Sequence, residues 1–152
     1  MSKQLRTQID IQATPERVWQ VLTDFDAYPR WNPFMTEASG IARQGERLTI
    51  RMQPVGGRAM TFRPTVREAV PGRRLRWLGR LLAPGIFDGE HSFTLEPLPS
   101  GGVRLTQQED FRGMLVPLLA RSLDRRTLPA FECMNQALKQ RAEQPPTNGR
   151  HA

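Results

Sequence analysis

The stretch that decides the fold is residues 87–113, with the sequence FDGEHSFTLEPLPSGGVRLTQQEDFRG. Apolar and polar side chains alternate along residues 87–97 and again along residues 103–112, with the period of a β-strand. Residues 97–102, which lie between the two runs, contain the prolines, serine and glycines that are typical of a turn. The stretch therefore predicts two antiparallel strands joined by a turn, each with one mostly apolar face and one charged face.

Three polar residues interrupt the apolar faces of this predicted hairpin. His91, Gln107 and Glu109 fall on the same faces as Phe93 and Phe111. Because a buried polar group must find a hydrogen-bond partner or water, these residues predict a polar spot inside an apolar interior. Three interpretations stay open: a structural network between strands, an anchor that orients a ligand, and a catalytic acid–base pair of His91 and Glu109.

The chain before the hairpin predicts one strand, two short helices and four further strands. Residues 4–12 alternate as a strand, Thr14 is a suitable helix N-cap, and Pro15 suits the first helical position. The second short helix is expected to end near Trp31. The further strands are predicted at residues 34–41, 47–53, 60–70 and 73–79. Pro64, inside the third of them, predicts a bulge or a sheet edge.

The chain after the hairpin is predicted to be helical. Apolar residues recur at helical spacing through residues 116–143, and Pro129 predicts a kink or a new helix capped by Thr127. This order of elements indicates one α+β domain over residues 1–143, in which a curved, seven-stranded antiparallel sheet wraps around the long C-terminal helix. Residues 144–152 are expected to form a disordered tail.

The composition narrows the classes of function. The net charge is +7 and comes almost entirely from arginines, but these alternate along predicted strands as on a solvated sheet face, so no nucleic-acid partner is expected. A single cysteine, with no secretory signal and no apolar run of transmembrane length, favours a cytoplasmic setting. One cysteine and two histidines cannot build a zinc site from Cys and His alone. No metal or nucleotide cofactor is predicted, since no fingerprint for one is present.

Three segments of the sequence resemble one protein superfamily. They are ATPERVWQVLTDFDAYPRWNP, WLGRLLAPGIFDGEHSFTLEPLPSGGVRLTQQEDFRGMLVPLL and FECMNQALKQRAE. With the order of elements, they resemble a bacterial branch of the START-like, polyketide cyclase/dehydrase-like superfamily called SRPBCC, over about residues 5–143. The resemblance implies a helix-grip fold with a deep apolar cavity between the sheet and the long helix. It also implies that residues 54–58 and 81–86 form loops near the mouth of this cavity.

The polar spot and the resemblance together favour the binding of a small hydrophobic ligand, such as a lipid, quinone, isoprenoid or polyketide-like compound. The residues expected to contact it are large apolar residues and the polar spot: Trp31, Phe62, Trp77, Phe87, His91, Phe93, Gln107, Glu109, Phe111, Phe131 and Met134. Two alternatives stay open. One is a cyclase- or dehydratase-like enzyme that uses His91 and Glu109. The other is a protein-interaction module with a filled interior, which would bind a partner through the 81–86 loop or the arginine face.

Overall fold

Strands are the main elements up to residue 112, and a helical segment follows from residue 116 to residue 143. The computed structural model describes residues 2–145. Its strands are β1 (Ser2–Ile11), β2 (Met35–Ser39), β3 (Thr49–Met52), β4 (Met60–Phe62), β5 (Thr65–Val70), β6 (Arg74–Leu81), β7 (Phe87–Pro97) and β8 (Val103–Arg112). Its helices are α1 (Pro15–Thr23), α2 (Tyr28–Trp31), α3 (Val116–Ser122) and α4 (Leu128–Glu143), with a 3-10 turn at Phe25–Ala27 before α2 and a π-helical turn at Leu123–Thr127 between α3 and α4.

The strands form two antiparallel sheets, so the prediction of a single seven-stranded sheet was wrong. The large sheet has the order β1–β8–β7–β6–β5, and the small sheet has the order β2–β3–β4. The strand predicted at residues 60–70 is divided at Pro64, with β4 in the small sheet and β5 in the large one. Because proline has no N–H to donate to a ladder, the pairing is interrupted at this position, and here the chain changes from one sheet to the other. The α+β class, the antiparallel pairing and the long C-terminal helix were predicted correctly.

The two sheets stay connected at the division. The Leu48 N–H donates to the Pro64 carbonyl, and the Val66 N–H donates to the Glu46 carbonyl. The chain that enters β3 therefore runs beside the start of β5, and the sheets meet at a corner. Corners of this kind form where the chain changes from one sheet to another.

The hairpin of β7 and β8 has the register that places the polar spot on the inner face. His91 lies opposite Glu109, and Phe93 lies opposite Gln107. His91 and Gln107 are buried, and so are Phe93 and Phe111 on the same faces. The reason is the pleat: alternate residues of a strand point to the same side of the sheet, here toward the helix.

The N-terminal helix α1 begins at the expected cap. The Thr14 hydroxyl accepts a hydrogen bond from the Arg17 N–H at 3.1 Å, and Pro15 occupies the first turn. Val18, Val21 and Leu22 are buried, and the helix packs against α4. The element thus closes one end of the space between the large sheet and the C-terminal helix.

The C-terminal helical segment continues through the position of Pro129 by means of a π-helical turn. The predicted new start capped by Thr127 is not what forms, because Thr127 has helical dihedral angles and its side chain makes no capping bond. Instead, the Leu128 N–H donates to the carbonyl of Leu123, five residues earlier. A π turn inserts one residue into the helix and so shifts which side chains face the sheet. Helix α4 ends at Glu143, and most of the predicted tail, residues 146–152, lies outside the described residues.

The outer face of the large sheet carries paired charges. Arg76 lies 2.7 Å from Glu90 and 3.4 Å from Glu68, and Arg104 lies 2.9 Å from Asp10. This arrangement agrees with the solvated arginine face predicted from the alternation. Within residues 2–145, no helix has both the length and the apolar character needed to cross a bilayer.

The single tyrosine of the chain is an internal probe of the fold. Tyr28 is fully buried, and its hydroxyl donates to the carbonyl of Leu22. Burial, with a smaller contribution from the negative charge of Asp24, raises the pKa of the Tyr28 phenol above its usual value. The neutral phenol therefore belongs to the folded state.

In an alkaline titration, the phenol of Tyr28 should ionise only as the protein unfolds. Because the folded-state pKa of Tyr28 is raised, its stabilising contribution is complete below about pH 10, the pKa of an unfolded tyrosine, and is lost as the pH rises further. The phenolate absorbance should therefore appear together with the loss of circular dichroism in an alkaline titration. Tyr28→Phe supplies the background without phenolate. A phenolate signal that appears while the dichroism is still native would contradict the prediction.

Candidate functional site

Two glycines that face the interior open a hollow on the large sheet. Gly79 in β6 and Gly89 in β7 are direct cross-strand partners. The next inward-facing pair, Trp77 and His91, lies two residues away from them on β6 and β7. Because glycine has no side chain, no side chain projects from the inner surface of the sheet at this point. A cavity remains between the sheet and the elements that pack over it.

The cavity has a volume of about 190 Å³ and a mainly apolar lining. Its walls come from both sheets and from the C-terminal helical segment: Phe34, Met52, Pro54, Met60, Phe62, Pro64, Trp77, Gly79, Arg80, Leu81, Phe87, Gly89, Glu109, Phe111, Leu119, Ser122, Leu123 and Thr127. Sites for drug-sized ligands usually measure about 300–1,000 Å³, whereas an engineered apolar cavity of about 150 Å³ binds benzene. The enclosed part of a ligand here is therefore about one ring in size.

Five of the predicted ligand contacts line this cavity, and the other six lie outside its wall. The lining set is Phe62, Trp77, Phe87, Glu109 and Phe111. The set outside the wall is Trp31, His91, Phe93, Gln107, Phe131 and Met134. Trp31 packs edge-on against Tyr28 with a distance of 5.2 Å between ring centroids, and the other five are buried in the core behind the cavity. The predicted polar spot is therefore divided, because only its carboxylate reaches the cavity.

The polar spot is one part of a longer hydrogen-bonded chain that crosses the interior. His91 Nδ1 lies 2.5 Å from Glu109 Oε2, and His91 Nε2 lies 2.9 Å from Gln107 Oε1. Gln107 Nε2 donates to Asn135 Oδ1 at 2.7 Å, and Asn135 Nδ2 donates to Thr7 Oγ1 at 2.8 Å. We call Glu109, His91, Gln107, Asn135 and Thr7 the polar chain. It joins β7, β8, β1 and α4 through groups that are otherwise costly to bury.

Asn135 and Thr7 were not predicted as members of the site. Asn135 lies between the buried positions Met134 and Leu138 on α4, and Thr7 lies between Leu5 and Ile9 on the inner face of β1. The signal that indicates them is the same one that indicates His91: a polar residue at a position where the hydrophobic period expects an apolar side chain.

His91 is enclosed by aromatic rings. Its ring stacks on Trp77 at a centroid distance of 5.2 Å, and Phe93 and Phe131 lie at 4.9 Å and 5.0 Å. Only 1% of the residue is exposed. The imidazole is therefore held in one position by packing and by hydrogen bonds on both ring nitrogens, behind the carboxylate that faces the cavity.

The loops that adjoin the cavity lining at Pro54 and Leu81 are hydrogen-bonded to neighbouring segments. The Met114 N–H donates to the Gly85 carbonyl, which joins the β6–β7 loop to the loop after β8. The Val55 N–H donates to the Arg126 carbonyl, which joins the β3–β4 loop to the π-helical turn. Leu82, Met114 and Leu118 are 76%, 80% and 79% exposed, so this end of the molecule presents apolar side chains.

The sequence was also compared with known families and proteins. Residues 2–143 match the family described as polyketide cyclase / dehydrase and lipid transport. This chain belongs to that family. Membership in the polyketide cyclase / dehydrase and lipid transport family confirms the resemblance seen in the sequence. Comparison with curated proteins gave no match.

Solved structures share the fold of this family member. A hypothetical protein from Helicobacter pylori has a TM-score of 0.77 at 18% identity, covering 92% of this chain and 88% of that one. The Zhui aromatase/cyclase from a Streptomyces species has a TM-score of 0.75 at 19% identity, covering 94% of each chain. A START superfamily protein from Mycobacterium smegmatis has a TM-score of 0.71 at 20% identity, covering 93% of this chain and 97% of that one. At these identities, the similarity establishes the START-like fold.

Proposed function

We propose that this protein binds a small, mainly apolar molecule in the cavity between the large sheet and the C-terminal helix. The observation that carries the proposal is the preformed hollow above Gly79 and Gly89, with its walls of aromatic and aliphatic side chains. Burial of apolar ligand surface in it supplies about 25 cal/mol per Å² before the costs of association. The description of the family, which includes lipid transport, supports the same function.

An enzymatic function of the cyclase or dehydratase kind has weaker support. The structural neighbours include aromatase/cyclases, and Glu109 does reach the cavity wall. His91, however, lies outside the wall, and both of its ring nitrogens already have partners. A general acid or base must come within hydrogen-bond reach of the proton that it transfers. Of these two residues, Glu109 meets that condition for a molecule in the cavity and His91 does not.

A protein-interaction module without a ligand has the least support. That alternative requires an interior filled by side chains, whereas the space above Gly79 and Gly89 is hollow. Side chains normally fill protein interiors to the density of organic crystals, so a cavity of this size is unusual unless something occupies it. Exposed Leu82 and Met114 at the mouth also suit an entrance for an apolar molecule.

A titration with propylbenzene, followed by nitrogen-15 NMR, tests the proposal. We expect saturable shifts of the amide signals of Gly79 and Gly89, with much smaller changes on the outer face, for example at Arg104. The reason is that a one-ring hydrocarbon matches the size and the apolar lining of the cavity. The proposal would be abandoned if neither propylbenzene nor its phenol, methyl ether and carboxylate derivatives gave saturable shifts there. Mass spectrometry of the native and then the denatured protein would identify any natural ligand that co-purifies.

A further inference from the structure

We propose that the molecule bound in this cavity is recognised through a hydrogen-bond donor, a hydroxyl group, which donates to Oε1 of Glu109. The inference rests on the proposed function and adds the chemical class of the ligand: a neutral, hydroxylated, one-ring compound. It follows from which group donates and which accepts in each hydrogen bond of the polar chain. Two backbone carbonyls, which can only accept, fix this assignment: those of Gln107 and Phe131.

The assignment of donors and acceptors starts from the hydroxyl group of Thr7. Its Oγ1 lies 3.1 Å from the carbonyl oxygen of Gln107, which can only accept, so the single hydroxyl hydrogen is used there. Thr7 Oγ1 must then accept from Asn135, which places the Asn135 amide nitrogen on Thr7 and the Asn135 oxygen toward Gln107. The Gln107 amide nitrogen therefore faces Asn135, and it also lies 3.4 Å from the carbonyl of Phe131, a second pure acceptor.

The orientation of the Gln107 amide then determines which nitrogens of His91 carry a hydrogen. Since the Gln107 nitrogen is used on Asn135, the oxygen of the same amide faces His91 Nε2, which must carry a hydrogen. Nδ1 lies 2.5 Å from Glu109 Oε2, and a bare lone pair so close to a carboxylate oxygen would be repelled. One proton therefore lies between Nδ1 and Oε2. The pair is either imidazolium with carboxylate or imidazole with carboxylic acid, and it is neutral in both forms.

The remaining oxygen of Glu109 is an acceptor in both forms. Oε1 lies above Gly89, where an added Cβ atom would be 2.6 Å from it. Among the described residues, no group donates a hydrogen bond to Oε1, although the side chain is only 12% exposed. A ligand hydroxyl can donate to Oε1 without bringing a charge into the apolar cavity, where a charge with no opposite partner is costly to bury and the His91–Glu109 pair is neutral overall. A ligand carboxylate would instead place two acceptors against each other.

A cation near the cavity, Arg80, would favour a different class of ligand, one with a carboxylate group. Arg80 is among the lining residues, and its guanidinium is 3.6 Å from Asp88 and nearly half exposed. A ligand with a carboxylate group would pair with Arg80 at the wall and would gain nothing from Glu109. The two ligand classes are therefore separable by experiment.

The test compares three ligands of nearly equal size: para-propylphenol, para-propylanisole and para-propylbenzoate. NMR titration of the wild-type protein should give a dissociation constant for the phenol about tenfold or more below that for the methyl ether, because only the phenol can donate to Glu109. The benzoate should bind most weakly. In Glu109→Met, the phenol and the ether should bind equally. In Glu109→Gln, the phenol should keep its preference, since the amide nitrogen can serve His91 and leave an oxygen toward the cavity.

Two results would overturn the inference while leaving the proposed function standing. One is equal affinity of the wild-type protein for phenol and ether, and the other is tightest binding of the benzoate. Failure of all three compounds and of propylbenzene would overturn the proposed function itself. A measurement without ligand checks the argument separately: the nitrogen-15 shift of His91 Nε2 should be that of a protonated nitrogen. An unprotonated Nε2 would reverse the Gln107 amide and remove the basis for the inference.

Discussion

Replacing Gly79 with leucine is expected to abolish binding of propylbenzene and para-propylphenol while the protein stays folded. A side chain at this position would project into the cavity of about 190 Å³, since Gly79 forms part of its lining. Space exists for it at the backbone, because the nearest atoms to an added Cβ are Pro64 Cβ at 3.7 Å and the Gly89 carbonyl oxygen at 4.0 Å. The leucine would therefore occupy the volume that a ligand needs.

The same substitution is expected to raise stability. Glycine inside a strand is unfavourable, and filling a cavity commonly adds about 0.5–2 kcal/mol to the free energy of unfolding. Thermal unfolding and NMR titration should then move in opposite directions, with a higher melting temperature and no saturable ligand shifts.

The matched control for this prediction is Gly79→Ala. One methyl group makes only ordinary contacts at 3.7 Å, so the alanine variant should bind more weakly than the wild type but measurably. Gly89 does not offer a comparable series, because an added Cβ would lie 2.6 Å from Glu109 Oε1 and would displace the carboxylate. If the Gly79→Leu protein were folded and bound propylbenzene as tightly as the wild type, the ligand site would have to lie elsewhere.

The second large effect is expected at the centre of the polar chain. Gln107→Leu should lower the free energy of unfolding by about 3 kcal/mol, measured by urea denaturation at neutral pH. Gln107 is fully buried, and its amide serves both His91 Nε2 and Asn135 Oδ1. Leucine would leave those two buried groups without partners, and each orphaned group costs about 1–3 kcal/mol.

The neighbouring residue supplies the control for this prediction. Gln108 lies on the opposite face of β8, is only partly buried and donates to Asp110 at 3.2 Å. Gln108→Leu should change the free energy of unfolding by less than about 0.5 kcal/mol, since it orphans no buried group. Equal urea midpoints for the two leucine variants would show that the polar chain contributes no net stability.

The fold was predictable where local periodicity determines it. Alternation along β7 and β8 places His91, Gln107 and Glu109 on one face, and the register found in the structure pairs His91 with Glu109. The cap at Thr14 marks the start of α1 in the same way. The division of the predicted strand at Pro64 was not recognised, because a proline inside an apolar run is equally compatible with a bulge, an edge or a change of sheet.

The polar site was predictable only in part. His91, Gln107 and Glu109 stood out because they break the pattern of an apolar face, and Asn135 breaks the pattern of α4 in the same manner. What periodicity does not give is pairing between distant elements: Asn135 meets Thr7 across 128 residues of chain. Nor does it separate Glu109, at the cavity wall, from His91, which lies behind it.

The sequence by itself determined which faces of β7 and β8 are buried and that polar groups would lie inside. Those properties depend on the two-residue period of the strand and on the residues within one segment. The tertiary structure alone decided that Gly79 and Gly89 become the floor of a cavity and not a packed contact. A hollow is the space left between surfaces, so its existence depends on how closely the small sheet and the π-helical turn approach those glycines. Only the packing of segments far apart in the chain sets that distance.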